Sequence, residues 1–153
     1  ERLLKNVGND VRRLSHELIP PRFDNASLSE LVCTYCQSMS AENGTIVKPF
    51  VSRSFEKLNL PSRTALEVYR IVQESVSNAI KYGYSKMITV TLDASNNQAS
   101  LCIANDISRE HPITQGKMGI GKDTLKMRTE ALKAVLTISE QDEEYKVEVR
   151  FPL

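Results

Sequence analysis

The hydrophobic pattern of the chain is clearest between residues 66 and 80. Apolar residues recur there at spacings of three and four, which is the period of an amphipathic helix with one buried side. The stripe consists of Leu66, Tyr69, Val72, Val76, Ala79 and Ile80. Ser62 is the predicted N-cap of this helix, and Gly83 is its predicted C-cap because glycine adopts a left-handed conformation without a steric penalty. The pattern therefore predicts a long central helix.

A second helical pattern opens the chain. Leucine and valine residues mark one side of residues 1–18, and Pro20-Pro21 ends the pattern because neither proline can donate a backbone hydrogen bond. Such an apolar stripe is typical of a helix that pairs into a dimeric bundle. His16 lies in this segment as a candidate phosphoacceptor, although a structural or solvent-facing histidine is the favoured interpretation.

A third helix is predicted over residues 27–42. It begins with Ser27-Leu-Ser-Glu30, which is a capping box, and Asn43-Gly44 ends it. Its predicted buried side is Leu28, Leu31, Val32, Tyr35, Cys36 and Met39. Cys33 and Cys36 form a Cys-x-x-Cys, but they have no second cysteine pair or paired histidine and are interpreted as small apolar helix residues.

Alternating, β-branched segments predict strands. The candidates are residues 45–52, 87–92, 99–105, 137–139 and 145–151. Pro49 makes the first strand irregular or places it at an edge, and residues 53–60 are a connection or a short strand. Turn residues at 93–98 and 141–144 join the later strands as hairpins. The order of elements predicts an α+β fold, a two-layer sandwich with a mixed, mostly antiparallel sheet and helices on one face.

Residues 107–118 carry no regular pattern and are predicted to be a mobile loop. Gly119-Ile-Gly121 follows, immediately before a predicted amphipathic helix. The buried side of that helix is bordered by Leu125, Met127 or Arg128, Leu132 and Val135. Two glycines at a helix start allow backbone amides to approach an anion, which the helix dipole also favours.

Composition narrows the class of protein. The chain has 153 residues, 41% hydrophobic and 25% charged, which indicates one globular domain with a small extra piece. The net charge of +1 gives no argument for nucleic-acid or membrane binding through bulk charge, and no apolar run is long enough to span a bilayer. The chain starts at Glu1 without a signal peptide, so we expect a cytoplasmic segment of a longer protein.

The polar side of the central helix is the first candidate for chemistry. Glu74, Asn78 and Lys81 are spaced four and three residues apart, which brings their side chains to one helix face. An acid, an amide oxygen suited to a hard metal ion and a cation suited to phosphate then lie in a row. An ordinary solvated face with a Glu–Lys contact remains an equally open interpretation at this point.

Two motifs carry a family resemblance. The segment from Arg70 to Tyr82 resembles the N box of the GHKL ATP-binding domains of sensor histidine kinases, nearly residue for residue. Gly119 to Leu132 resembles that family's second glycine box and the helix after it, and the closing Val149-Arg-Phe-Pro-Leu153 is also typical. The match covers residues 27–153 as an ATP-binding catalytic domain. Residues 1–21 resemble the second helix of a dimerisation and phosphotransfer hairpin, whose first helix carries the phosphoacceptor.

The resemblance implies a role for each motif residue. Asn78 would hold a Mg²⁺ that bridges the ATP phosphates, and Glu74 would be the catalytic residue that positions or activates a water in the shell of that metal. Lys81 and Tyr82 would contact phosphate or ribose. The backbone amides of Gly119-Ile-Gly121 would face the phosphates, and residues 107–118 would be the ATP lid.

The first glycine box departs from the family pattern of Asp-x-Gly-x-Gly. The equivalent stretch is Asn105-Asp-Ile-Ser-Arg109, which contains no glycine. The register of the preceding strand places Asn105 at the position that reads the adenine amino group, with Asp106 one residue away. Lys122 replaces the usual leucine after Gly121, where it would add a phosphate contact or be exposed.

The resemblance implies a protein histidine kinase domain with ATP and Mg²⁺ as cofactors. It would transfer the γ-phosphoryl group to a histidine on a dimerisation helix, for relay to the receiver domain of a response regulator, within a full-length homodimer. The acceptor helix is expected outside this chain, so the isolated segment is not expected to autophosphorylate. The alternative is a degenerate domain that binds nucleotide or couples a dimer without kinase activity. A GHKL ATPase or serine kinase is disfavoured by residues 1–21.

Overall fold

The structure is a computed structural model that describes residues 23, 26–82, 86–107 and 115–153, with the backbone alone described over 115–122. The predicted helix at residues 1–18, its His16 and the proposed boundary after residue 21 lie outside these residues, as does most of the predicted loop at 107–118.

Four helices and five strands make up the described part of the chain. In chain order they are α1 (Leu28–Asn43), β1 (Ile46–Val51), α2 (Arg53–Glu56), α3 (Ser62–Tyr82), β2 (Met87–Ser95), β3 (Gln98–Asp106), α4 (Gln115–Ala131), β4 (Val135–Gln141) and β5 (Glu144–Pro152).

The strands form one sheet in the order β1-β2-β3-β5-β4. β1 pairs parallel with β2, whereas the other neighbours pair antiparallel. The sheet is therefore mixed and mostly antiparallel, as predicted. β1 lies at an edge, which confirms the interpretation of Pro49, because proline cannot donate to a ladder on both sides.

One face of the sheet is buried against the helices. Along β2, β3 and β5 every second residue is buried, while the residues between them are half-buried or exposed. The buried residues include Ile88, Val90, Leu92, Leu101, Ile103, Val149 and Phe151. They form one cluster with the apolar sides of the helices, and each large side chain stabilises the fold by about 1.5–3 kcal/mol. This is the predicted two-layer α+β sandwich.

Local turn chemistry agrees with the predicted boundaries. Asn96 and Asn97 have φ values of 52° and 60°, and Asp142 and Glu143 have 51° and 63°, so both hairpins close through two left-handed residues. This conformation matches the twist of the flanking strands. The predicted capping box at Ser27 is also present, since Ser27 Oγ accepts from the Glu30 backbone N–H at 3.2 Å and Glu30 Oε2 accepts from the Ser27 N–H at 3.0 Å.

The segment 53–60 contains a short helix, so its interpretation as a connection or a short strand is incomplete. Ser52 Oγ caps α2 by accepting from the Phe55 N–H at 3.1 Å, and Phe55 is buried. Ser62 is the first residue of α3 and is not its N-cap, since the carbonyl of Pro61 already accepts from the Ala65 N–H at 3.0 Å.

The bounds of α4 differ most from the prediction. The helix begins at Gln115, so Gly119 and Gly121 lie inside it and the predicted start after Gly121 is wrong. It ends earlier than predicted, since Lys133 has a φ of 54° and Val135 begins β4 with 67% of its surface exposed. Met127 is exposed as well, whereas Leu125 and Leu132 are buried as predicted.

Candidate functional site

A cleft of about 470 Å³ lies along the polar side of α3, with α4 contributing to its wall. Its described lining is Arg70, Gln73, Glu74, Ser77, Asn78, Lys81 and Arg128. The three residues singled out on the helix face, Glu74, Asn78 and Lys81, therefore share one concave surface rather than a flat solvated face.

The opposite side of α3 holds the helix in place. Ile71, Val72 and Val76 have no exposed surface and pack into the core under the sheet. Since core side chains occupy fixed rotamers at high packing density, the helix is a rigid support for its polar side. The half-buried Glu74 and Asn78 side chains thus project into the cleft from a fixed backbone.

The lining is rich in positive charge. Among the described lining residues, Arg70, Lys81 and Arg128 are cations and Glu74 is a carboxylate, while Glu67 lies beside the cleft as the partner of Arg128. Lys81 is exposed in the last turn of α3, where the helix dipole favours a cation. A cleft with this balance favours an anionic ligand.

An ion pair connects the two helices beside the cleft. Arg128 Nη1 of α4 lies 3.2 Å from Glu67 Oε2 of α3, and the two side chains are 29% and 23% exposed. A pair this accessible contributes up to about 1 kcal/mol, so its main consequence is geometric. It sets the position of the Arg128 guanidinium on the α4 wall.

A hydrogen-bonded group lies at the base of the cleft. Arg70 Nη1 donates to Gln73 Oε1 at 2.9 Å, and Gln73 is only 5% exposed. Tyr35 OH from α1 donates to the Gln73 backbone carbonyl at 3.2 Å, and the rings of Tyr35 and Tyr69 meet edge to face at 6.1 Å. Burial raises the pKa of Tyr69, partly offset by the nearby Arg70 charge and by a hydrogen bond with Gln73. The group is anchored on the core side by two tyrosines.

Three predicted contact residues are placed elsewhere. The described residues that line this cleft do not include Tyr82, Asn105 or Asp106. Tyr82 packs against the hydrophobic core, and Asn105 is 4% exposed on the buried face of β3, where its Nδ2 donates to the Asp106 carbonyl at 3.1 Å. Asp106 is exposed, and its Oδ1 accepts from the Met87 N–H at 3.2 Å, so it links the end of β3 to the start of β2.

The glycine motif does not form the predicted turn. Gly119 is the fifth residue of α4, and from that position onward each helix N–H is bonded to the carbonyl four residues earlier. The amides of Gly119 and Gly121 are therefore engaged within the helix. Glycine costs only about 1 kcal/mol in a helix interior, so two glycines do not prevent a helix from starting earlier. The side chain of Lys122 lies outside the described part of the chain.

The oxygen donors of the cleft suit a hard cation. Within the described ranges, no three His, Cys, Asp or Glu side chains are grouped so as to hold a metal ion. The oxygen donors among the described lining residues include the Asn78 amide oxygen and the Glu74 carboxylate. A Mg²⁺ that takes its other ligands from phosphate and water fits this pair, because Mg²⁺ retains several waters and needs few protein ligands.

Four residues of the site were missed from the sequence. They are Arg70, Gln73, Ser77 and Arg128. Arg70 and Ser77 lie at helical spacing from Glu74 and Asn78, so the same periodicity argument would have included them. Arg128 carried no such signal, since its approach depends on how α4 packs on α3.

The curated proteins that this chain resembles in sequence include sensor histidine kinases. No family model matches the chain. It is 24% identical over 142 residues to the sensor histidine kinase MctS of Rhizobium johnstonii, which covers 91% of this chain and 30% of that protein. It is 30% identical over 97 residues to the oxygen sensor histidine kinase NreB of Staphylococcus carnosus, covering 63% of this chain and 27% of NreB. The chain thus spans less than a third of the length of these relatives.

Solved structures with a similar fold are also histidine kinases. The histidine kinase domain of the Erythrobacter litoralis EL346 blue-light activated histidine kinase superposes with a TM-score of 0.66 at 16% identity, covering 82% of this chain and 61% of that one. Full-length ShkA in complex with AMPPNP gives a TM-score of 0.59 at 13% identity, covering 88% of this chain and 30% of ShkA. The chain has the fold of these histidine kinase domains.

The histidine kinase fold confirms the architecture that the N box implied. It does not by itself assign roles to individual residues, so the roles of Glu74, Asn78, Lys81 and the other predicted contacts stay predictions. None of the helices in the described part of the chain combines the length and apolar composition needed to cross a bilayer.

Proposed function

We propose that this domain binds ATP with Mg²⁺ in the cleft along α3 and transfers the γ-phosphoryl group to a histidine on a dimerisation helix. The observation that carries the proposal is the convergence of Glu74, Asn78 and Lys81 with two guanidinium groups in one cleft of about 470 Å³, on a histidine kinase fold. Full-length ShkA forms a complex with AMPPNP, an analogue of ATP, which supports a nucleotide as the ligand class of this fold.

Each side chain has a task that follows from its chemistry. Asn78 would hold Mg²⁺ through its uncharged amide oxygen, and the ion would supply positive charge to the phosphates. Glu74, one turn earlier, would position or activate a water. Lys81 neutralises phosphate charge from the other end of the ridge. Phosphoryl transfer then depends on positioning and charge stabilisation, and needs no covalent intermediate on this domain.

The proposal also includes contacts to adenine, ribose and the phosphates. Asn105 lies at the end of β3 on the face directed towards the helices, where its amide oxygen would accept from the exocyclic amine of adenine. Asp106 would support that strand end through its bond to Met87, and Tyr82 would contact ribose. Gly119, Gly121 and Lys122 would reach the phosphates if the first turns of α4 rearrange on nucleotide binding.

We also propose the setting of this activity. The full-length protein would be a homodimer that passes its phosphoryl group to the receiver domain of a response regulator, with the present domain on the cytoplasmic side. The support is the similarity to the sensor histidine kinases MctS and NreB.

Isothermal titration calorimetry of the 153-residue chain with Mg–AMPPNP tests the binding step. We expect saturable heat that is lost when EDTA removes the metal. The absence of heat at millimolar nucleotide, in a sample shown to be folded by circular dichroism, would contradict the proposal.

Transfer is tested in the full-length protein with γ-labelled ATP. We expect label on a histidine, recognised by its lability in acid and stability in base, and no label in the Asn78→Ala variant. Nucleotide binding without any label transfer would instead favour the alternative, a domain that binds nucleotide or couples a dimer without kinase activity.

A further inference from the structure

Two of the three cations among the described lining residues, Arg70 and Arg128, lie at one end of the cleft. Arg70 lies one turn before Glu74 on the same ridge of α3, whereas Lys81 lies eleven residues further along, about 16 Å away at 1.5 Å per residue. Arg128 is tied to Glu67, which lies before Arg70, so its guanidinium belongs to the same end as Arg70. Two guanidinium groups therefore line the end of the cleft remote from Lys81.

The order of residues along α3 indicates which part of the nucleotide would lie at that end of the cleft. If Asn78 holds the cation beside the phosphates and Glu74 lies next to the transferred group, as proposed above, the phosphate chain would run from Lys81 towards Arg70. One helical turn separates Arg70 from Glu74, about 6 Å along the axis, which the long arginine side chain can span. The group nearest to Arg70 is then the terminal phosphoryl group.

Arg70 is held in a defined orientation. Its Nη1 donates at 2.9 Å to Gln73 Oε1, and Gln73 is 5% exposed, with its backbone carbonyl bonded to Tyr35 OH at 3.2 Å. The Gln73 amide thus helps to fix the position of the Arg70 guanidinium on the ridge. A planar guanidinium held in this way suits a phosphoryl group, because its parallel N–H groups match two phosphate oxygens.

We propose that Arg70, positioned by Gln73, binds the terminal phosphoryl group of ATP and makes the cleft distinguish ATP from ADP. The inference rests on the proposed nucleotide-binding function and adds a specificity-determining residue to it. Gln73 acts through Arg70 and is a positioning residue. Arg128 shares its charge with Glu67 and serves mainly to close this end of the cleft.

Calorimetry with Mg–AMPPNP and Mg–ADP tests the proposal in four variants of the 153-residue chain. Arg70→Ala should weaken AMPPNP binding by about 10- to 100-fold and ADP binding by less than about twofold, since only AMPPNP offers the terminal group. Arg70→Lys should lie between wild type and Arg70→Ala, because an ammonium keeps the charge and loses the bidentate geometry. Gln73→Met, of similar volume, should also weaken AMPPNP binding relative to ADP binding, but by a smaller factor than Arg70→Ala. Arg53→Ala, the same change at an exposed site on α2, should leave both affinities unchanged.

The outcomes separate this inference from the proposed function. A wild-type chain that binds neither nucleotide overturns both. A wild-type chain that binds both nucleotides, with an AMPPNP-to-ADP ratio that Arg70→Ala leaves unchanged, overturns only the role of Arg70. Thermal unfolding identifies variants that fail to fold. If Arg70→Ala or Gln73→Met is among them, Arg70→Lys decides, because an unchanged ratio in a folded Arg70→Lys protein also contradicts the proposal.

Discussion

The two sides of α3 differ in what they contribute to the protein. One side places Ile71, Val72 and Val76 in the core with no exposed surface. The other side places Glu74 and Asn78, half-buried, in a cleft lined by charged groups. The buried side holds the helix through apolar area, and the cleft side retains polar groups for a ligand. Stability and binding should therefore respond to different substitutions on a single helix.

The largest effect is expected from the buried side. Ile71→Ala removes three carbons from a fully buried position and should lower the free energy of unfolding by about 2–5 kcal/mol. Urea denaturation measures this loss. Ile46→Ala is the matched control, since Ile46 is 50% exposed on edge strand β1 and should change stability much less. Equal losses in the two variants would contradict the division between the core and the surface.

On the cleft side, Asn78→Ala should weaken Mg–nucleotide binding by about 100-fold, because the proposed ligand to the cation is removed. The midpoint of thermal unfolding without nucleotide should stay nearly unchanged. Asn59→Ala, the same change at an exposed position away from this cleft, should alter neither. If Asn78→Ala unfolds the domain, the residue supports the core and its proposed role is wrong.

The stability of the fold should also depend on pH through the buried Cys36 thiol. Burial raises the pKa of the Cys36 thiol from its usual 9.0 to about 12, since the thiolate is poorly solvated. The unfolded chain releases this proton first, so the contribution of Cys36 is complete below pH 9 and is lost as the pH rises towards 12. Between about pH 7 and pH 10, under reducing conditions, the wild type should lose about 1 kcal/mol more stability than Cys36→Ala. Equal losses would mean that the thiol is accessible to water.

The smallest effect is expected at the Glu67–Arg128 ion pair. Glu67→Gln should lower stability by at most about 1 kcal/mol, and by less in high salt, because both side chains are partly exposed. Urea denaturation at low and high ionic strength measures it. A loss of several kcal/mol that is insensitive to salt would show that the cleft side of α3 also stabilises the fold.

Local signals in the sequence predicted most of the architecture. The capping box at Ser27, the asparagine turn at 96–97 and the alternation along β2, β3 and β5 depend on neighbouring residues only, and each was located correctly. The bounds of α4 were predicted wrongly. Gly119 and Gly121 suggested that the helix starts after them, but a helix can contain both glycines. The helix ends at Ala131, and the left-handed residue that follows, Lys133, is not a glycine that would mark this end in the sequence.

The candidate site was predicted as far as it lies on one helix. Periodicity placed Glu74, Asn78 and Lys81 together, and the cleft confirms that they share a surface. Arg128 could not be found in this way, since it comes from α4 and reaches the cleft beside its ion pair with Glu67. Register placed Asn105 at the position that would read adenine, and that role stays a prediction, but register does not predict that its amide is buried and bonded to its neighbour.

The amino-acid sequence by itself determined the helices, the hairpins and the row of polar groups on α3, because hydrophobic periodicity and turn chemistry act over a few residues. Only the tertiary structure decided that this row faces a cleft, which guanidinium groups join it and where Arg70 is held. Those features arise from packing between segments far apart in the chain, and a side chain carries no local signal of the partner that it will meet.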